Sequence, residues 1–170
     1  NCTIVLAETY QCKNIYCYNY FDEDRQLMEV KQNGFRIRFI YNPSENVQLA
    51  SVKEDGDAIR YIENPSENVK LEAVKRDGDS IRYIPNPSEI VQLEAVKKNG
   101  FSIVHIHNPS EIVQLEAVKK DACSIQYIHN PSEKVQLKAV KRDERAFEYI
   151  RNRTYFAKKR KKINEERVQA

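Results

Sequence analysis

Tryptophan is absent, glycine occurs four times and methionine once in 170 residues, while 31% of the chain is charged. Such a composition belongs to a helix-rich chain rather than to a β-rich one dense in glycine turns. With so little glycine there is no Gly-rich phosphate loop, and neither a nucleophile elbow nor a paired-acid constellation is present. The expectation is a protein that is not an enzyme and takes no cofactor. No apolar run approaches the roughly 18 residues that a membrane helix requires, so no membrane partner is expected.

Cysteine is also sparse. Cys2, Cys12 and Cys17 cluster near the start and Cys123 stands alone, which is neither paired zinc ligation nor a disulfide scaffold. The opening stretch NCTIVLAETYQCKN has no basic start and no small-residue cleavage site of a secretory signal. It begins at Asn rather than Met, which reads as a processed or shortened chain. The expected setting is the cytoplasm or a host-cell interior, with virion association as a further option, and not secretion. Histidine occurs only at His105, His107 and His129. His107 and His129 are equivalent positions near Cys123, but without HxxxH or CxxC spacing they read as surface substitutions and no metal is expected.

What the chain has in abundance is self-similarity. Asn-Pro-Ser-Glu recurs at 42, 64, 86, 108 and 130, giving six 22-residue units over 20–151, preceded by a 19-residue segment (1–19) and followed by another (152–170). A fixed period of this size marks a solenoid, in which each unit buries its apolar face only against its neighbours. In the third unit Asn64 is expected to cap a helix, with Pro65 at the first helical position and Glu67 three residues on as in a capping box. The helix is predicted to run to about Arg76, and Gly78 to supply a left-handed stop. Val69, Leu71, Ala73 and Val74 spread over more than half of its circumference, as suits a helix sandwiched between two others.

Gln48, Gln92, Gln114 and Gln136 fall inside that arc, with Lys70 in the third unit and Gln26 in the first. A recurring amide there is expected to form a ladder between units or to bond a loop carbonyl, because a buried unpaired amide costs about 1–3 kcal/mol. The second element, SIRYI at 80–84, fits helix and strand spacing alike. The favoured fold class is all-α, a solenoid of six short antiparallel helix pairs with capping ends, the Asp or Ser before Ile81 starting the second helix. The alternative is an α/β leucine-rich-repeat-like horseshoe. The ends depart from the pattern: YFDED replaces Asn-Pro-Ser-Glu and Arg25 replaces Val in unit one, a cap, while Ala122 and Glu144 replace Gly, so the turn is expected to change there. The stretch after Asn152 reads as a polar capping helix.

Units such as NPSENVKLEAVKRDGDSIRYI and NPSEIVQLEAVKKNGFSIVHI resemble a family of short repeats of unknown function found in giant viruses, phages and some intracellular bacteria, with Asn-Pro-Ser-Glu, Val-Gln-Leu-Glu-Ala-Val-Lys and Asn-Gly marks. The resemblance covers 20–151. It implies a viral or bacterial source and a helical-repeat fold, and it brings no catalytic residues with it.

Two charge ladders accompany the repeat. Lys31, Lys53, Lys75, Lys97, Lys119 and Lys141 could track phosphates, but matched with Glu23, Glu45, Glu67, Glu89, Glu111 and Glu133 they read first as complements to the helix dipole. Constant positions build a stack and varying ones can specify a partner. The slot after Gly holds Phe35, Asp57, Asp79, Phe101, Cys123 and Arg145; a second holds Arg38, Arg60, Arg82, Val104, Gln126 and Glu148; a third holds Tyr41, Glu63, Pro85, His107, His129 and Arg151. If these share a face, Phe35, Arg38, Tyr41, Arg60, Arg82, Phe101, His105, His107 and His129 are candidate contacts for a protein partner; otherwise the variation is drift on a solvated face.

Residues 1–150 hold 20 basic against 23 acidic side chains, and 151–170 hold 8 against 2. The cluster Lys158, Lys159, Arg160, Lys161 and Lys162 could contact nucleic acid, serve nuclear import or solubilise a helix. The leading expectation is a helical-repeat scaffold that binds a protein, and the second a nucleic-acid-associated or virion protein using the basic tail.

Overall fold

Each unit begins with a residue that must turn left. In a computed structural model, which describes residues 22–150, Asn42, Asn64, Asn86, Asn108 and Asn130 have φ between 47° and 53°. Asn is the non-glycine residue that tolerates this region best. The serine two residues on is extended, and it, not the asparagine, caps the helix. Ser66 Oγ accepts from the Val69 amide, and Ser44, Ser88, Ser110 and Ser132 repeat the bond. The glutamate expected as a capping-box partner is therefore the first helical residue, where its charge faces the positive end of the dipole.

Six ten-residue α-helices result: α1 Glu23–Gln32, α2 Glu45–Glu54, α3 Glu67–Arg76, α4 Glu89–Lys98, α5 Glu111–Lys120 and α6 Glu133–Arg142. In unit one Asp22 takes the capping place.

The second element is a helix, as favoured, but of the 3₁₀ type: Gly34–Phe39, Gly56–Tyr61, Gly78–Tyr83, Gly100–His105, Ala122–Tyr127 and Glu144–Tyr149. Its cap is the Asp or Asn before the glycine, one turn earlier than expected. Asp77 Oδ1 accepts from the Asp79 amide at 3.0 Å. Three residues per turn put Gly78, Ile81 and Ile84 in register on one side, and all three are buried. The same period explains why SIRYI was ambiguous: Ile81 and Ile84 share a face at a spacing of three.

No glycine has a positive φ, so the left-handed stop expected at Gly78 is absent. Glycine is required there by proximity. A Cβ on Gly78 would lie 2.6 Å from the carbonyl oxygen of Ala95 in the next α-helix, and on Gly56 2.7 Å from that of Ala73. Ala122 and Glu144 consequently incur no left-handed penalty, and both begin 3₁₀ helices like the others, but the cap does change before Ala122: Asp121 makes no side-chain cap bond and accepts instead from the Gly100 amide of the unit before at 3.0 Å. Ala122 is buried, so unit six must accommodate its methyl, whereas Glu144 is exposed.

Each α-helix packs on the next, and each 3₁₀ helix packs on the next unit's α-helix and 3₁₀ helix. The core is a set of rows: Val47, Val69, Val91, Val113 and Val135 are fully buried, and Ile37, Ile59, Ile81, Ile103 and Ile125 are nearly so. Arg25, in the valine slot of unit one, is exposed. Each buried branched side chain contributes about 1.5–3 kcal/mol.

Polar rows hold the register. The capping serine hydroxyl that accepts at its own helix donates to the first glutamate of the preceding unit: Ser44 to Glu23 at 2.6 Å, then Ser66 to Glu45, Ser88 to Glu67, Ser110 to Glu89 and Ser132 to Glu111. The glutamine slot resolves to a loop clip rather than an inter-unit ladder, Gln48, Gln92 and Gln114 each donating to the proline carbonyl five residues back at 2.9 Å. Among the described residues there is no strand, and no helix is long and apolar enough to cross a membrane.

Gly78→Ala should lower the unfolding free energy by about 1–3 kcal/mol, since the methyl meets the Ala95 backbone carbonyl as well as the buried Ser102 hydroxyl. Asn86→Gly should change it by about 0.5 kcal/mol or less, because glycine adopts the left-handed turn freely. Urea titrations followed by circular dichroism measure both.

Candidate partner-binding edge

The three-residue period that buries Gly78, Ile81 and Ile84 also aligns Asp79 and Arg82 on another side of the same helix, with Pro85 just beyond its end. The first two variable rows therefore do share an edge. The contacts say the same. The Arg60 guanidinium lies 5.2 Å from the centroid of Phe35 in the unit before it, 4.7 Å from that of Tyr61 beside it and 5.6 Å from that of Tyr83 in the unit after it. Arg38 covers Phe39 at 4.5 Å and Arg82 covers Tyr83 at 4.8 Å. Phe35 meets Tyr61 edge to face with centroids 6.1 Å apart.

Hydrogen bonds join these stacks. Arg60 donates to the Tyr61 hydroxyl at 2.8 Å and to the Tyr83 hydroxyl at 3.4 Å, and Arg82 forms an ion pair with Asp57 of the preceding unit. The hydrogen bonds that Arg60 donates to the Tyr83 and Tyr61 hydroxyls hold its pKa above its ordinary value. Desolvation pushes the Tyr61 phenol up, but hydrogen bonds from Arg38 and Arg60 outweigh it and hold its pKa below the usual tyrosine value.

Further along, the edge changes character. Phe101 meets Tyr127 at 6.1 Å with the rings at 79°, and Val104 is 49% exposed in the place of the arginines. His105, exposed, takes the tyrosine position of unit four. The third variable row sits outside the 3₁₀ helices, at the left-handed turn: Tyr41 is 76% exposed, and His107 and His129 are exposed as well. His129 lines a depression of about 350 Å³ with Tyr127, Gln136 and Tyr149. Gln136 there has a buried Oε1 without a hydrogen-bond partner among the described residues.

No three His, Cys, Asp or Glu side chains among the described residues gather to hold a metal ion. Lys158, Lys159, Arg160, Lys161 and Lys162 lie outside the described residues, as does Arg151 of the third row.

One variable row is less free than its variation suggests. Asp57 accepts from the hydroxyl of Ser80 in the next unit at 2.8 Å, and Asp79 from that of Ser102 at 2.7 Å. Both serines are fully buried. Where the first partner is Phe35 or Cys123, the residue 23 positions on is Ala58 or Ala146, which needs no acceptor. Phe101 breaks the rule, for the residue 23 positions on is Ser124, whose buried hydroxyl has no partner among the described residues.

Tyr61 and Tyr83, central to the edge, escape a reading of the variable slots. Their signal is the recurring Arg-aromatic pair, Arg38-Phe39, Arg60-Tyr61 and Arg82-Tyr83, at the repeat interval. No protein-family model, curated protein or solved structure matches the chain.

Ser80→Ala should cost about 1–2 kcal/mol by removing a satisfied buried hydrogen bond, while Ser124→Ala should be neutral or stabilising because the hydroxyl it removes has no partner. Phe101→Asp in the otherwise unchanged chain should make Ser124→Ala costly in turn. Equilibrium denaturation of the four variants decides between a structural pairing and free variation.

Proposed function

We propose that the chain is a non-enzymatic helical-repeat scaffold that binds a protein through the variable edge formed by its 3₁₀ helices. The observation that carries this reading is the run of exposed guanidiniums, Arg38, Arg60 and Arg82, stacked on aromatic rings in three consecutive units. Arginine and tyrosine are the residue types that most often dominate interface energies, and a row held by stacking loses little conformational freedom on binding.

The recurring carboxylates support a scaffold rather than a catalyst. Glu23, Glu45, Glu67, Glu89 and Glu111 accept from capping serines, and Asp57 and Asp79 accept from buried ones. None of these is spare for acid–base work. The resemblance of the units to repeats from viruses and intracellular bacteria, together with sparse cysteine, favours action inside a cell or a virion. The second reading, a nucleic-acid-associated protein, rests on the basic tail. The lysine ladder lends it little support, because Lys97 and Lys119 pair with Glu94 and Glu116 of their own helices.

Affinity capture from the source cells should recover a defined protein with the native chain and lose it with Arg38→Glu, Arg60→Glu and Arg82→Glu combined, at unchanged helicity. Recovery of the same protein by the triple variant would remove this edge from consideration. Nucleic acid released by salt, and lost when residues 158–162 are deleted, would instead favour the second reading.

A further inference from the structure

A guanidinium can only donate hydrogen bonds. At the Tyr61 and Tyr83 hydroxyls, the arginine bonds therefore occupy the oxygen and leave each phenol its own proton. Arg60 bonds both hydroxyls, Arg82 lies over the Tyr83 ring at 4.8 Å, and the Arg38 charge acts on Tyr61 from the unit before. The result is an alternating row, Arg38, Tyr61, Arg60, Tyr83, Arg82, in which every member has a donor to give. Asp57 on Arg82 is the acceptor that this row meets. Against three guanidiniums and two phenol protons the edge sets two carboxylates, Asp57 and Asp79, both already bonded to buried serines, so a surplus of donors remains, and its complement is a ligand made of acceptors with negative charge.

Two classes of polyanion fit the charge, and the rings separate them. A single-stranded nucleic acid gains much of its affinity by stacking bases on aromatic faces. Here Arg38 covers Phe39, Arg60 sits over Phe35, Tyr61 and Tyr83, and Arg82 lies over Tyr83. The platforms are taken. Carboxylates need no platform, and the geometry sets their spacing. Packed helices stand about 8–10 Å apart, so equivalent arginines recur at about that interval, and a chain in the polyproline II conformation covers it in one turn of three residues at about 3.1 Å each, with every third side chain on the same side. The row also has an end, because Val104, Gln126 and Glu148 follow Arg82 in the same slot. An acidic segment gains nothing beyond unit three.

We propose that units one to three form a docking strip for an acidic segment of the partner protein extended as a polyproline II helix, with carboxylates at every third residue meeting Arg38, Arg60 and Arg82 in turn. The inference rests on the reading of this edge as a protein-binding surface and names the partner's chemistry.

Fluorescence anisotropy on the full chain tests it, using a labelled peptide of about 12 residues with glutamate at every third position and Ser or Thr between. A peptide of the same composition with its glutamates contiguous and a single-stranded oligothymidylate of similar length serve as comparisons. The spaced peptide should bind most tightly, with affinity falling as salt rises. Arg60→Gln should weaken it about three- to tenfold. Tyr61→Phe with Tyr83→Phe, which keeps the rings and removes the phenol protons, should weaken it as well, and supplies the reading if Arg60→Gln fails to fold.

No binding at about 50 mM salt, equal binding of the contiguous peptide, tighter binding of the oligonucleotide, or binding indifferent to these substitutions would each overturn the proposal. If peptide binding fails while the native chain still captures a protein in an arginine-dependent way, the acidic ligand is refuted and the scaffold reading stands. If arginine-dependent capture fails too, both are refuted.

Discussion

The hydroxyl of the capping serine is the point on which the stack turns. As an acceptor it satisfies one of the open amides at the start of its own helix, and as a donor it reaches the first glutamate of the helix before. One oxygen thus fixes both where a helix starts and how it stands against its predecessor. A neutral N-cap is worth about 1 kcal/mol, and a bond to an ionised carboxylate is stronger than a neutral one. Repeated five times, this couples local helix formation to assembly, so that neither is complete without the other. The hydrophobic rows supply most of the free energy but little direction, since one valine packs against another over a range of offsets. The serine–glutamate row selects among those offsets.

Much of the architecture was legible because its signals are local. Asn-Pro-Ser-Glu places a helix start to within three residues, and the apolar arc around Val69 tells that both flanks are covered. The exchange of roles between Asn64 and Gly78 was not legible, because both residue types occupy left-handed turns and glycine serves equally where another chain segment comes close. What settles it is the distance from Gly78 to the Ala95 carbonyl, a contact between residues 17 apart that no local pattern encodes.

The candidate edge was half legible for a related reason. Arg38, Arg60 and Arg82 stood out by varying late in the chain, and Phe35 by its place after glycine. Tyr61 and Tyr83 sit beside core isoleucines and read as packing, although each touches an arginine of its own unit and Tyr83 one of a neighbouring unit. Asp57 and Asp79 erred in the opposite direction: variable in sequence, they are committed to buried serines one unit on. In a repeat protein a position can vary for two reasons, contact with an outsider or a private agreement with the next unit, and single rows do not distinguish them.

That agreement makes the units unequal as building blocks. Removing 86–107 would join Asp79 to Ser124 and give the orphaned hydroxyl its acceptor, whereas removing 42–63 would set Phe35 against Ser80 and create a new orphan. The permitted orders of units are therefore ruled by what crosses each junction, so the heritable piece of this solenoid is the seam between two units rather than the unit.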